Sequence, residues 1–312
     1  MMKINLPQHF KSLSDALSSL FGPGISVRSR TRISGGDINE AYALVLSDGQ
    51  VIFMKSNSHT PEDFFKAEAA GLSAIASTKT IQTPEILCTG SEASEYGSCN
   101  FLLLKYVESR NPRDDFWETF ARNLAALHNA DTKSFFESDG MEDQAGKNQF
   151  GFFQDNYIGE RPQRNTPCES WILFFREMRL APQFKSADRY FTDEQRKSIS
   201  HFLDHLDDFL IEGKPSLLHG DLWSGNVMCG PDGNAMLIDP ATYVGIAEAD
   251  IAMTELFGGF PPAFYGEYKE IVHFEPGYEL RRDIYNLYQL LNHLNLFGHS
   301  YLPSVLHILR RF

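Results

Sequence analysis

Apolar residues at Phe10, Leu13, Leu17 and Leu20 recur at the spacing of one helix face, which predicts a helix over Leu6–Leu20 that stops at Phe21-Gly22-Pro23-Gly24. The pattern then changes period. Ile25–Ile33, Ala41–Leu46 and Val51–Lys55 read as strands, separated by the turns Ser34-Gly35-Gly36-Asp37-Ile38-Asn39 and Ser47-Asp48-Gly49-Gln50. Period two places Val51, Phe53 and Lys55 on one face of the third strand. A helix is predicted over Pro61–Ala76, with Thr60 as N-cap and proline at the first helical position. Phe101–Val107 is an apolar strand running into a polar link, and Phe116, Phe120, Leu124 and Leu127 stripe a helix over Asp114–Asn129. Ser138–Pro167, rich in Gly, Asn and Gln, predicts a long loop, which in a compact domain is functional or disordered. Ala247–Phe257, Gly277–Phe297 and Tyr301–Phe312 read as further helices.

One polar run stands out against this pattern, inside Leu217–Asp239, LLHGDLWSGNVMCGPDGNAMLID. Two leucines form a short buried strand, and the chain then breaks into His219-Gly220-Asp221-Leu222-Trp223-Ser224-Gly225-Asn226. Two short apolar strands follow, Val227–Cys229 and Ala235–Ile238, joined by Pro231-Asp232-Gly233-Asn234, and the second runs into Asp239. H-x-D, an asparagine five positions later and an aspartate after a hairpin form the polar pattern of a kinase catalytic loop and its metal site. The chemistry requires these residue types. A hydroxyl attacking a γ-phosphoryl group needs an acceptor for its proton, and Asp221 can be that acceptor. Magnesium takes hard oxygen ligands, here the amide oxygen of Asn226 and the carboxylate of Asp239. In the competing reading these residues merely cap and turn.

HGDLWSGN followed by Asp239-Pro240-Ala241 resembles the fructosamine (ketosamine) 3-kinase family, which is related to the aminoglycoside and choline kinases. The resemblance implies an α+β, two-lobed protein-kinase-like fold: a small antiparallel-sheet N-lobe with one key helix, and a larger, mainly helical C-lobe. It places a nucleotide-binding lobe at 1–105 and a catalytic and substrate-binding lobe at 106–312. Gly35 and Gly36, which could also be an ordinary hairpin turn, look like the family's shortened phosphate loop, whose glycines let backbone N–H groups approach phosphate oxygens. Lys55, otherwise a solvated strand end, matches the lysine that grips the phosphates. Glu68 matches its partner. Glu62 is the alternative, though a first-turn position suits a helix-dipole role better. Lys105, Tyr106 and Val107 correspond to the hinge that meets the adenine edge, although the family usually has an acidic residue where Lys105 stands.

The insert motifs Phe150-Gly151-Phe152, Asp155-Asn156-Tyr157-Ile158-Gly159 and Pro162-Gln163-Arg164-Asn165 resemble the family's signature insert, as does Trp171 with Arg179-Leu180-Ala181-Pro182. Trp171 and Trp223 are candidate substrate contacts. Trp223 could present an apolar wall to a sugar ring, or it could pack the loop. Asp250 resembles an aspartate that hydrogen-bonds the catalytic-loop backbone, and His128 reads as a packed structural histidine.

Composition narrows the partners. The 312-residue chain is 42% hydrophobic, enough for a sizeable core, and its net charge of −13 argues against nucleic acid or an anionic membrane as main partner. No apolar run approaches the ~20 residues needed to span a bilayer. The N-terminus lacks a signal peptide's apolar core, and Cys88, Cys99, Cys168 and Cys229 show no metal-ligand spacing, so a reduced, cytoplasmic setting is expected. His201 and His205 share a helix face without a third ligand, which makes a solvated face the plainer reading.

The expected cofactors are ATP and Mg2+, and the expected reaction is phosphorylation of the O3 hydroxyl of a ketosamine, leading to deglycation. Two alternatives remain: a kinase for an aminoglycoside, choline or another small alcohol, and a nucleotide-binding pseudokinase. Retention of Lys55, Glu68, Asp221, Asn226 and Asp239 together speaks against the second.

Overall fold

The computed structural model describes residues 4–33, 39–94, 97–136 and 149–312. The first part is a six-stranded sheet in the order β1-β5-β6-β4-β3-β2, formed by β1 (His9–Phe10), β2 (Val27–Ile33), β3 (Glu40–Leu46), β4 (Val51–Asn57), β5 (Ile86–Ser94) and β6 (Gly97–Lys105). All its pairings are antiparallel except the parallel contact of β1 with β5.

Alternation along the strands gives the sheet two apolar faces. Ile52, Met54, Phe101 and Leu103 pack with Leu17 of helix α1 (Leu13–Phe21). Leu102 and Leu104 pack with Phe64, Phe65 and Leu72 of helix α2 (Phe64–Ser77), and half-buried Phe53 joins them. Lys55 shares the Phe53 face, so the charged end of β4 points under α2. Gly90 of β5 is required by this packing, because a Cβ there would lie 2.1 Å from the Phe101 ring.

Three local expectations differ from the structure. The first helix starts at Leu13, capped by the Ser12 hydroxyl accepting from the Asp15 N–H at 3.0 Å, because His9 and Phe10 are drawn into the sheet opposite Thr89 and Gly90. Helix α2 starts at Phe64. The Asn100 side chain donates to the carbonyls of Thr60 (2.7 Å) and Pro61 (3.0 Å), which holds those residues outside the helix and removes Thr60 as its cap. Strand β6 ends at Lys105 rather than Val107.

The second part is mainly helical: α3 (Phe116–His128), α4 (Trp171–Phe174), α5 (Ala181–Ser186), α6 (Asp193–Asp204), α7 (Ala247–Leu256), α8 (Pro262–Ile271), α9 (Tyr278–Phe297) and α10 (Leu302–Leu309). Between α4 and α5 the chain makes a π-helical turn, Phe175–Leu180, which points Arg179 inward. Arg179 is fully buried over the Tyr243 ring and donates to Asn165 Oδ1 at 2.7 Å.

Three two-stranded ladders complete the fold. They are β7 (Asn156–Ile158) with β8 (Arg161–Gln163), β9 (Ser216–Leu218) with β12 (Tyr243–Gly245), and β10 (Val227–Cys229) with β11 (Ala235–Leu237). One large apolar cluster unites this part around α3, α9 and the buried Leu217, Leu218 and Leu222. Arg281 and Glu248, both buried, join α9 to α7 through two hydrogen bonds of 2.6 and 2.7 Å.

Candidate functional site

Strand β9 delivers the chain to His219, and its pairing with β12 brings the residues after Asp239 alongside. The loop between is fastened by backbone contacts from below. Asp250 of α7 accepts from the N–H groups of His219 (2.7 Å) and Gly220 (2.9 Å), and its own carboxylate meets His128 Nε2 at 3.2 Å. His128 is completed by Tyr268, 2.7 Å from Nδ1. Gln289 of α9 donates to the Gly220 carbonyl at 3.1 Å. Only glycine fits at 220: φ is +84°, and a Cβ would stand 2.1 Å from the Ala241 carbonyl oxygen.

The His219 ring bridges the loop internally, with Nε2 2.8 Å from the Ile238 carbonyl and Nδ1 3.3 Å from the Asp221 N–H. This fits a neutral ring that donates from Nε2 and accepts at Nδ1. Burial pushes its pKa below the ordinary histidine value, in agreement.

Asn226 Nδ2 donates to the Asp221 carbonyl (2.8 Å) and to Asp221 Oδ2 (3.1 Å). Burial raises the Asp221 carboxyl to about 7, the charges of Asp239 and Asp250 add to the rise, and the Asn226 hydrogen bond opposes it. A carboxyl so placed exchanges protons near neutral pH. Asp239, at φ +56°, turns its Oδ1 to Lys55 Nζ, which also donates to Glu68 Oε1 at 2.6 Å. Lys55 is only 6% exposed; burial disfavours its charge, but the two carboxylates outweigh burial and hold its pKa above the usual lysine value. Glu62 sits on the surface with Lys66 and His9, so Glu68 is the partner of Lys55.

These groups border one cavity of about 750 Å³ between the sheet and the helical part. Lys55, Glu68, Asp221, Asn226 and Asp239 line it, as do Lys105, Tyr106, Val107 and Trp223. Phe53, Leu104, Met228 and Ile238 add apolar wall. The Lys105 N–H is already spent on the Glu85 carbonyl (2.9 Å), and its ammonium pairs with Glu85 at the surface. Trp223 is 38% exposed, and its indole lies over Gly225, where a Cβ would meet the ring at 2.4 Å. Gly35 and Gly36 lie outside the described residues; their neighbours Ile33 and Asn39 line the cavity.

Trp171 corrects the sequence reading. It is fully buried against Phe150, Phe174, Phe175 and Tyr285, with Nε1 3.4 Å from the Tyr285 hydroxyl, and it cannot touch a substrate. The apolar residues on every side of it make it a core anchor for the 149–168 segment. Sequence reasoning also missed cavity residues. Tyr157 enters from the insert, and Phe257, His293, Phe297 and Tyr301 enter from around α9. The signal for the last group was His293 with Asn292 and Asn295 in an otherwise apolar helix end.

The oxygen donors suit a hard cation. Asn226 has committed its nitrogen to Asp221 and leaves its oxygen, and Asp239 supplies a carboxylate beside it. Among the described residues no group of three or more His, Cys, Asp or Glu could hold a metal, so a cation at Asn226 and Asp239 would require further oxygen ligands.

The family model for fructosamine kinase matches residues 9–312. A Synechocystis sp. (strain ATCC 27184 / PCC 6803 / Kazusa) protein named probable ketoamine kinase is 39% identical over 99% of each chain. The chloroplastic protein-ribulosamine 3-kinase of Oryza sativa subsp. indica is 35% identical over 92% of this chain and 80% of that one. A solved Haemophilus somnus 129PT protein with a provisional fructosamine-3-kinase assignment superposes with a TM-score of 0.81 at 29% identity, covering 96% of both chains. The fold is the protein-kinase-like one expected from the sequence.

Proposed function

The chain belongs to the fructosamine kinase family, and from that premise we propose that it transfers the γ-phosphoryl group of ATP to the O3 hydroxyl of a ketosamine such as a fructosamine or ribulosamine. The observation that carries the reading is the Lys55 ammonium held between Glu68 and Asp239 on the wall of the cavity that Asp221 also lines. In this reading Lys55 binds the phosphates of the nucleotide. Tyr106 and Val107 offer backbone groups to the adenine edge, and residues 1–105 form the nucleotide-binding lobe. Asn226 and Asp239 would hold Mg2+, which would supply positive charge to offset that of the phosphates.

Asp221 takes the proton of the acceptor hydroxyl as its oxygen bonds to the γ-phosphorus. The bond from that phosphorus to the β,γ-bridging oxygen breaks, and ADP leaves. Trp223 offers its exposed indole face to the sugar ring. The phosphate installed at O3 is a good leaving group, so the adduct decomposes and frees the amine, which is the chemistry of deglycation. Four free cysteines support a reducing, cytoplasmic setting.

The test is ATP turnover measured side by side with a fructose- or ribulose-amino acid, an aminoglycoside and choline. The expected outcome is a phosphorylated ketosamine followed by free amino acid on standing. Turnover only with an aminoglycoside or choline would keep the kinase and reject the acceptor class.

A further inference from the structure

The β7–β8 hairpin is fastened on two sides. Its polar residues bind the backbone that follows Asp239: Asn156 donates to the Thr242 carbonyl at 2.7 Å, and Gln163 to the Ala241 carbonyl at 3.1 Å. On the other side Tyr157 reaches across the cavity to the sheet-bearing part. Its hydroxyl donates to Asp63 Oδ1 at 2.7 Å, and its ring centroid lies 4.9 Å from that of Phe64. Asp63 is the N-cap residue of α2 and Phe64 its first residue. Glu68 follows Phe64 by four positions, so it lies on the same helix face one turn on. From Glu68 the contacts return through Lys55 to Asp239, which closes a ring around the cavity.

Within that ring α2 also meets Pro240 and Thr242, which follow Asp239. Gly71 packs so closely there that a Cβ would stand 3.0 Å from Thr242 Oγ1. The remaining hold on α2 is apolar, Phe64, Phe65 and Leu72 on the sheet and Ala70, Ala74 and Ile75 in the large cluster of the helical part, and apolar packing is non-directional. A hydrogen bond at the start of the helix is directional, and it fixes what the apolar contacts leave free.

We infer that Tyr157 is a positioning residue: by holding the first turn of α2 it sets where Glu68 stands, and therefore where Lys55 presents its ammonium. The inference rests on Lys55 being the phosphate anchor proposed above. Lysine is a point charge on a flexible stem, so its head follows its acceptors. An acceptor that moves with its helix moves the lysine.

Two variants separate the parts of the contact. Tyr157→Phe keeps the ring against Phe64 and removes the donor; Tyr157→Ala removes both. The expected result is a KM for ATP raised about three- to tenfold in Tyr157→Phe, the range for one ordinary lost hydrogen bond, and further in Tyr157→Ala, with the acceptor KM unchanged. Glu68→Gln alone should raise the KM for ATP, and adding Tyr157→Phe to it should raise it no further, since both act on one lysine. Thermal melts of each variant confirm that the folded protein is being assayed.

A rise in the acceptor KM instead would make Tyr157 a substrate contact and overturn the inference. An equal effect of Tyr157→Phe with and without Glu68→Gln would do the same, because Tyr157 would then act on something other than Glu68. Unchanged KM values in both Tyr157 variants would also reject it. If Glu68→Gln by itself leaves the KM for ATP untouched, the phosphate-anchor reading falls as well, which tells that failure from a failure of the inference alone.

Discussion

Residues 217–239 and residues 149–168 both bring polar side chains to the same cavity, but they hold them by opposite means. In the catalytic loop the partners of Asp221 itself are close in sequence, Asn226 five positions away and His219 two, while Asp250 and Gln289 fasten the loop backbone from further along the chain. In the insert they are remote. Asn156 reaches Thr242 across 86 positions, and Tyr157 reaches Asp63 across 94. A polar motif closed by its own neighbours keeps its geometry in one stretch of chain. A motif closed by distant partners is only a run of polar residues until the fold supplies them.

The largest effect should come from the loop. Asp221→Asn should leave ATP binding in place and lower turnover on the order of 10²–10⁴-fold, the usual range for removing a general acid–base group. Turnover within about threefold of the parent would break the comparison at its functional side. Trp171, the core anchor of the insert, should answer in stability instead. Trp171→Ala is expected to cost about 3–5 kcal/mol, as for other buried tryptophans, read from the denaturant midpoint. A stable Trp171→Ala protein with a raised acceptor KM would restore the substrate role that its burial removes.

A smaller effect is expected at the cation ligands. Asp239→Asn should raise the magnesium concentration for half-maximal activity by at least about tenfold, with Asn226→Ala moving it in the same direction. Identical magnesium titrations in parent and variants would remove both assignments.

The mildest test is pH. Asp221 must be ionised to accept a proton, and burial holds its carboxyl at about 7. Activity should therefore be present above that value and be lost as pH falls through it. A cation bound beside Asp239 favours the carboxylate and moves the acid limb lower. A profile of kcat/KM flat down to pH 5 would show that Asp221 is not the titrating group.

The same contrast explains how much was legible in the sequence. Asp221, Asn226 and Asp239 were visible because their spacing is their geometry. Period two gave only the face of β4 on which Lys55 lies; its role was legible through the family resemblance, and its place under α2 came with the structure. Strand β5 was not predicted: Ile86–Ser94 alternates poorly, and Gly90 reads as a turn until Phe101 is seen filling the space beside it. His9 and Phe10 continued a helical apolar spacing, and only the edge of β5 turns them into a strand. Trp171 was misread for the same reason. A tryptophan beside a functional motif looks exposed to its chemistry until the aromatic residues that enclose it, among them Tyr285 more than a hundred positions away, are in place.

The π-helical turn at Phe175–Leu180 bears on chain length. Hydrogen bonds that span five residues instead of four take up one more residue per ring than the α-helices on either side. The run from Trp171 to Ser186 is thus one residue longer than a regular helix of the same reach, and Arg179 sits in the surplus. Removing a single residue between 175 and 178 would let the run relax to α geometry and would take away the wide turn from which Arg179 reaches Asn165 and Tyr243. At this point in the molecule a deletion would be accepted by the backbone and refused by one side chain.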